Sequence, residues 1–390
     1  MLCLLALLHC VLLFFPARAA FIPLSFGVGR CSLGDYPPAT NHASCHVATY
    51  RYTIDLVQGP FAILRFSSFF LPDDDFVLVR SLDANSSKKL RLSGRNHRGA
   101  FDAPPIVATS IAIELYTHAP NASSQSCYGF QASGYTANLM EEAHEESLCG
   151  GVDRTLEAPC YKYNTLMFAR SDAVARLLIN KNGAYTACTG WLLGSEGHLI
   201  TYRDCISAQE HTYRMQVDFN AQAPTCPSKA GDIVCTKPMA CGKARDTYIG
   251  SPRLVVSSAT FNYTIIQLDK TLADKYRYLK LRVAGPVLAE SIYIVQHPLG
   301  YGKRISDKTA AGKATIEATN GKDAAYRLDT QGMSSGSPVL SSTDHTVVAM
   351  HYGGLAACPN FGIRSDVIVS DLQARKINIP NAFVYTPADA

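Results

Sequence analysis

The sequence predicts an all-β protein of two domains, and three observations support this. Its 390 residues suit two domains of ordinary size. Short apolar or alternating runs recur along the chain, separated by turn signals rich in Pro, Gly, Asn and Asp. No long amphipathic helix pattern separates these runs, so β-sandwiches or β-barrels are favoured over a parallel α/β sheet.

Residues 1–19 predict a secretory signal peptide. Leu2 to Phe15 is an almost unbroken apolar run, and Ala17-Arg18-Ala19 supplies small residues for cleavage. A buried or membrane-anchoring N-terminal helix is the alternative. The run is short for a membrane span and no later segment is long enough, so we expect a secreted, extracellular protein without a membrane span.

Cysteine usage and charge restrict the function class. Of the 13 cysteines, Cys3 and Cys10 lie in the predicted signal, which leaves 11 that a secreted chain should mostly place in disulfides. Because 11 is odd, one thiol should be unpaired or bonded to another molecule. The cysteine and histidine spacings do not suit zinc, so no metal and no cofactor are expected. The net charge of +4 comes without a dense Lys/Arg cluster, which argues against nucleic acid as a partner.

Residues 20–140 predict a β-sandwich. Three strand-like runs show the spacing of such a fold: Ile63–Phe66, Phe76–Val79 and Ile111–Tyr116. Asp73–Asp75 could bind calcium, although such a run is more typical of a solvated turn. The sequons at Asn85 and Asn121 predict N-glycosylation.

A connector and a second domain follow. The acidic segment 141–166 is interpreted as a linker with a short helix, and Cys149 and Cys160 are candidates to clamp the loop after it. Residues 167–380 resume the strand pattern and predict the second domain, and 381–390 form a C-terminal tail.

Ser335 in "QGMSSGSPVL" is a candidate nucleophile, held in a turn of small residues before an apolar strand. Pro338 and that strand follow it, whereas the elbow of an α/β-hydrolase would be followed by a helix. A serine hydroxyl needs a positioned base and donors for the oxyanion that forms on attack.

Three segments carry a resemblance to a known family: "CTGWLLGSEGHLITYRDC", "NYTIIQL" and "DTQGMSSGSPVL…VVAMHYGG". In order and spacing they resemble the signature segments of trypsin/chymotrypsin-like serine proteases, over most of residues 167–375. The resemblance implies a double β-barrel with the active site between the barrels. It is closest to secreted forms whose protease domain follows a CUB-like β-sandwich.

Three catalytic positions of that family are altered. Asp204 stands where the family has its histidine base, Asn262 where it has aspartate, and Met333 where it has the oxyanion-hole glycine. A carboxylate with an ordinary pKa near 4 is a poor base for a serine hydroxyl. Met333 resists the backbone angles that glycine adopts, and a flipped peptide there would remove an oxyanion donor. The resemblance also implies a disulfide between Cys188 and Cys205.

The substrate pocket of the family is better matched. Relatives that cleave after glutamate carry a threonine and a histidine at the positions of Thr330 and His351, which could bind a carboxylate by charge-assisted hydrogen bonds. Alternatively, both residues serve only core packing. His211 and His297 are candidates to replace the missing base, but a stray histidine is more often structural. Cys358 is the candidate for the unpaired thiol.

The favoured function is that of a secreted, glycosylated pseudoprotease that binds a peptide or protein in the interbarrel cleft. One alternative is an active serine endopeptidase with acidic P1 preference and an unconventional base. Another is a sandwich domain that binds a glycan or protein, with the barrels as scaffold. A third sequon, at Asn262, is expected to be unoccupied because it lies in an apolar strand pattern.

Overall fold

The computed structural model describes residues 21–29, 48–56, 58–84, 86–118, 127–140, 146–227 and 235–385. The predicted signal peptide, the sequon asparagines Asn85 and Asn121, and the end of the tail lie outside these ranges. Within them, no helix is long and apolar enough to cross a membrane.

Two antiparallel sheets form the predicted N-terminal β-sandwich. The five-stranded sheet contains β1 (Phe21–Gly29), β3 (Phe61–Phe70), β6 (Phe101–Asp102), β7 (Ile106–Val107) and β9 (Gly129–Thr136). The four-stranded sheet contains β2 (Tyr50–Asp55), β4 (Phe76–Ser81), β5 (Lys89–Ser93) and β8 (Ser110–Tyr116). The inward residues of both sheets share one core, in which Phe66 and Phe130 of the first sheet meet Ile113 of the second.

A seven-stranded antiparallel sheet forms the first barrel. Its order is β15 (Thr247–Gly250), β14 (Met215–Asp218), β11 (Val174–Lys181), β12 (Ala184–Leu193), β13 (His198–Tyr202), β17 (Tyr263–Gln267) and β16 (Arg253–Ser258). β12 and β13 are buried almost throughout, because one face lines the barrel and the other packs on its surroundings.

A ten-stranded sheet forms the second barrel. Its main path is β10 (Leu156–Glu157), β20 (Arg304–Ser306), β19 (Ile292–Gln296), β25 (Pro338–Ser341), β26 (Val347–Gly354), β27 (Asn360–Arg364), β24 (Asp323–Tyr326) and β23 (Ile316–Asn320). β18 (Leu281–Arg282) pairs with β26 and with β28 (Phe383–Val384), and β21 (Lys308–Thr309) forms a hairpin with β22 (Gly312–Lys313). β10 lies inside the segment interpreted as a linker, so the second barrel begins earlier than that interpretation implied.

The helices are short: α1 (Thr165–Ser171), α2 (Thr271–Tyr276) and α3 (Ser365–Ala374). α1 begins after Asn164, whose side chain accepts a hydrogen bond from the backbone N–H of Met167 at 3.2 Å. One continuous core joins the barrels, with Trp191 of the first against residues of the second such as Tyr293 and Met350. The expected all-β fold, a sandwich followed by a double barrel, is confirmed.

The sandwich packs on the barrels through a small apolar cluster. Phe61 and Ile63 of the sandwich share it with Leu178, Ala187 and Met333. Asp102 at the edge of the sandwich accepts a hydrogen bond from Asn180 of the first barrel, at 3.3 Å.

The disulfides differ in part from the sequence prediction. Cys188 is bonded to Cys205 with a Cα separation of 6.2 Å, as the resemblance implied. The clamp between Cys149 and Cys160 is wrong, because Cys149 bonds Cys358 and Cys160 bonds Cys226. The prediction that Cys358 is the unpaired thiol is therefore wrong too.

The structure also contains a further disulfide and shows the surroundings of the aspartate run. Cys235 bonds Cys241. In the aspartate run, Asp73 pairs with Arg98 and Asp74 with Arg95 on the surface, as a solvated turn would have it, whereas Asp75 is fully buried and accepts a hydrogen bond from the backbone N–H of His118 at 2.6 Å.

Candidate active-site cleft

Ser335 lies in a tight turn just before β25, at the junction of the two barrels. Its side chain is fully buried, and its carbonyl accepts a hydrogen bond from the backbone N–H of Thr189 on β12 at 3.1 Å. Gly336 has a φ of 94°, and a Cβ there would lie 2.1 Å from the carbonyl oxygen of Thr189. Only glycine fits at this point, and its lack of a side chain lets the backbone of the turn lie in direct contact with Thr189 of the first barrel.

Asp204 and Asn262 lie together on the first barrel. Asp204 follows β13 in a turn, with 51% of its side chain exposed and Arg203 at 4.0 Å. Asn262 accepts a hydrogen bond from the backbone N–H of Arg203 at 3.0 Å, which holds the two turns side by side. Its φ of 52° places it in a turn before β17, not within a strand as the sequence suggested, and asparagine tolerates that angle.

The turn that carries Asp204 lies next to the turn that carries Ser335. Cys205, next to Asp204, has its sulfur 3.9 Å from the carbonyl oxygen of Ser335. The rings of Tyr202 and Tyr352 stack across the cleft at 6.0 Å between centroids.

The hydroxyl of Ser335 faces a glutamate. It donates to Oε1 of Glu146 at 3.0 Å and lies 3.4 Å from the carbonyl oxygen of Tyr352. Only 1% of the Glu146 side chain is exposed. Sequence reasoning missed this residue, which lies 189 positions before Ser335 in a segment without a motif.

His351 lies behind the same carboxylate. Its Nε2 is 3.3 Å from Oε2 of Glu146, and its Nδ1 is 2.8 Å from the hydroxyl of Tyr326. Burial, followed by the charge of Glu146, holds the pKa of Tyr326 well above its ordinary value. The phenol therefore stays neutral and can donate to Nδ1, and with that bond in place the remaining ring nitrogen, Nε2, lies on the side of Glu146. Nε2 and Oε2 of Glu146 do not form a hydrogen bond with each other.

Thr330 lies beside Ser147, the residue that follows Glu146 in the chain. Its backbone N–H donates to the carbonyl of Ser147 at 3.2 Å. Its buried hydroxyl oxygen has no hydrogen-bond partner within the described ranges. Thr330 and His351, the two residues predicted to bind an acidic side chain, thus both border the segment that begins at Glu146. We call the site formed by Ser335, His351, Tyr326 and Thr330 the carboxylate pocket.

The segment after Glu146 is fixed to the second barrel. The side-chain amide of Asn360 accepts from the N–H of Ser147 at 3.2 Å and donates to its carbonyl at 2.9 Å. The N–H of Cys149 donates to Asp329 at 2.7 Å, and Cys149 is bonded to Cys358. Residues 146–149, the anchored segment, are thereby held against the second barrel beside the carboxylate pocket.

Met333 keeps a left-handed backbone, with a φ of 75°. Its side chain is 7% exposed and packs in the cluster with Phe61 and Ile63. Its carbonyl accepts from the hydroxyl of Thr189 at 3.2 Å. Packing against the sandwich therefore offsets the strain that a Cβ causes at this angle, which costs on the order of 1 kcal/mol.

The two histidines considered as replacement bases have local partners. Nδ1 of His211 accepts from the backbone N–H of Ser207 at 3.2 Å. His297 is fully buried, and its Nδ1 donates to the carbonyl of Tyr301 at 3.1 Å.

Comparison with known proteins places this geometry in a family. Residues 155–367 match the model of the lysyl endopeptidase C-terminal domain. The chain is also 39% identical over 372 residues to secreted RxLR effector protein 73 of Plasmopara viticola, a match covering 92% of this chain and 90% of that protein.

Solved structures resemble the chain more distantly. The serine endoprotease from Yersinia pestis has a TM-score of 0.41 and 14% identity, over 55% of this chain and 66% of that one. The HtrA-type protease AlgW with tripeptide has a TM-score of 0.40 and 14% identity, over 54% of this chain and 62% of that one. The chain spans less than two thirds of the length of either structure.

Proposed function

This chain belongs to the family of the lysyl endopeptidase C-terminal domain, and from that premise we propose that it is a pseudoprotease. In this proposal it binds a peptide or protein and does not hydrolyse peptide bonds. It is a secreted protein, as its disulfides and the effector relative indicate.

One observation carries the proposal: the Ser335 hydroxyl donates to a buried carboxylate. In an active protease of this fold, that hydroxyl would donate to the histidine base. By the resemblance to that family Asp204 stands at the base position, and about half of its side chain faces solvent. A solvated carboxylate neither removes a serine proton efficiently nor returns it to a leaving amine.

A second function, serine peptidase with an unconventional base, is favoured by the same contact. Glu146 lies 3.0 Å from the Ser335 hydroxyl, within the reach required of a general base. Two features weigh against it. Both side chains are almost fully buried, and Glu146 itself fills the space beside His351 that an acidic substrate side chain would need.

A fluorophosphonate probe separates the two functions. We expect the full-length wild type, secreted with its disulfides intact, to remain unlabelled at a dose that labels an active trypsin-like protease to completion. Ser335→Ala provides the background. Labelling of the wild type, absent in Ser335→Ala, would overturn the proposal. If Glu146→Gln then abolished that labelling, Glu146 would be the base.

A further inference from the structure

We propose that the carboxylate pocket is a binding site for a glutamate side chain, and that its resident occupant is Glu146 of the same chain. Glu146 would act as an internal ligand that an external acidic peptide must displace. The inference rests on the proposed function, since a pocket filled from within suits a binding protein better than an enzyme that turns over substrate.

The first argument is the cost of burying the charge. A carboxylate taken out of water loses several kcal/mol of solvation unless partners replace the water. Glu146 is 1% exposed and meets Ser335 on one oxygen and His351 on the other. Oε1 accepts a hydrogen bond from Ser335, and Oε2 lies 3.3 Å from Nε2 of His351, although neither Oε2 nor Nε2 has a hydrogen-bond partner within the described ranges. A donor at one oxygen and an imidazole nitrogen beside the other are what a site that recognises the group would offer.

The second argument concerns selectivity. When Tyr326 donates to Nδ1 of His351, Nε2 is the nitrogen that can donate into the pocket, where it lies 3.3 Å from Oε2 of Glu146. The hydroxyl of Ser335 presents a second donor. An amide would offer only one acceptor oxygen to these two donors, and an ammonium would offer none, so the pocket favours a carboxylate over either.

The third argument is the anchoring of the occupant. Ser147 is bracketed by the amide of Asn360, and Cys149 is bonded to Cys358. A tethered ligand acts at an effective concentration of about millimolar or more. Removing the side chain while leaving the tether should therefore raise the apparent affinity for an external carboxylate by about tenfold or more.

The alternative is that Glu146 serves only the packing of the core. In that case an emptied pocket would have no preference for a charged filler over a neutral one of the same size. Propionate has the carboxylate and the three carbons of a whole glutamate side chain, one carbon more than Glu146→Ala removes, and propionamide has nearly the same shape without the charge.

Four full-length proteins test this: the wild type, Glu146→Ala, Glu146→Gln, and Glu146→Ala combined with His351→Leu. Thermal unfolding is followed against propionate and propionamide at constant ionic strength. Titration calorimetry with an N-acetylated, C-amidated glutamyl peptide and its glutaminyl counterpart measures binding. We expect saturable stabilisation of Glu146→Ala by propionate and not by propionamide, with no such response in the wild type or the double variant. We expect Glu146→Ala and Glu146→Gln to bind the glutamyl peptide and not the glutaminyl peptide.

The opposite results would overturn the inference. Folded Glu146→Ala that responds equally to both additives would make Glu146 a packing residue. A wild type that binds the glutamyl peptide as tightly as Glu146→Ala would mean that Glu146 does not compete. If Glu146→Ala fails to fold, Glu146→Gln decides through the two peptides. None of these results alters the probe experiment on the wild type, so failure here is distinct from failure of the proposed function.

Discussion

The two barrels differ in how far their residues around Ser335 match those of a serine protease. The second barrel supplies Ser335, Thr330 and His351, all fully buried, and these still form a coherent pocket. The first barrel supplies Asp204 and Asn262, which lie in neighbouring turns, with about half of the Asp204 side chain exposed and Asn262 half-buried. In the function proposed above, the second barrel keeps the groups that recognise a side chain, while the first barrel has lost those that move a proton.

The largest expected effect is recovery of hydrolysis by repairing the first-barrel wall and emptying the pocket. We would combine Asp204→His, Asn262→Asp and Glu146→Ala, because triad residues act as a unit and single changes should do little. Met333 is left in place, since its φ is already 75° and truncation would open the packing against the sandwich. We expect turnover of a glutamyl ester at least about 10²-fold above wild type, with little on a lysyl ester.

Two controls accompany this variant. Adding Ser335→Ala should abolish the activity, and Asn262→Gln in place of Asn262→Asp removes the sequon without supplying the carboxylate. A folded but inert variant would show that the first-barrel wall has diverged beyond these positions. Equal turnover of both esters would contradict the carboxylate preference of the pocket.

The next prediction compares how much one residue of each barrel, His351 or Asp204, contributes to the free energy of unfolding. His351→Leu should lower the free energy of unfolding by about 3–5 kcal/mol, because it leaves the buried Glu146 carboxylate poorly compensated. Asp204→Ala should change it by less than about 0.5 kcal/mol, since that side chain is half exposed. Urea unfolding measures both.

A double variant sharpens the result. Adding Glu146→Leu to His351→Leu should restore part of the loss, because replacing both members of a buried charged pair removes the uncompensated charge. Losses that simply add would show that the two side chains do not interact.

A smaller difference in stability is expected between the two disulfides that flank the site, one on each barrel. The Cys149–Cys358 bond spans 209 residues and holds the anchored segment, whereas Cys188–Cys205 spans 17 beside Asp204. In the chain-entropy model, removal should cost about 5 kcal/mol for the first and about 3 for the second. Paired Cys→Ala variants compared by urea unfolding test the order. A greater loss from the shorter loop would mean that local packing outweighs chain entropy.

The sequence predicted the strands well and the occupant of the pocket not at all. Runs such as Ile111–Tyr116 and Tyr263–Leu268 have apolar patterns that depend only on near neighbours, so local reading suffices. Glu146 acquires its role from Ser335 and His351, which are distant in sequence, and no local pattern signals such a contact.

Two other differences have similar causes. The sequence predicts no helix at α3, whose run of β-branched residues is a weak local helix signal, but the helix buries Ile368 and Leu372 on one face against the second barrel. Cys358 seemed unpaired because its partner, Cys149, lies in a segment that looked like a linker.

The smallest expected change, up to about 1.4 kcal/mol for each pH unit, comes from Lys303, which joins the two barrels and should make stability depend on pH. Its ammonium group is fully buried and donates to the carbonyls of Ser171 at 2.6 Å and Phe219 at 2.7 Å. Burial lowers its pKa from 10.5 to about 7, with Asp172 opposing the shift. Between these values the unfolded chain holds a proton that the folded protein lacks, so this group's contribution to stability rises with pH, by up to about 1.4 kcal/mol per unit. Below about pH 7 both states are protonated and the contribution is constant.

The difference in unfolding free energy between wild type and Lys303→Met, measured by urea unfolding from about pH 6.5 to about pH 9.5, should therefore grow in favour of the wild type as pH rises above about 7. The exposed Lys308→Met serves as the matched control and should run parallel to wild type. Parallel curves for Lys303→Met as well would show that the two carbonyls keep the buried ammonium charged across the range.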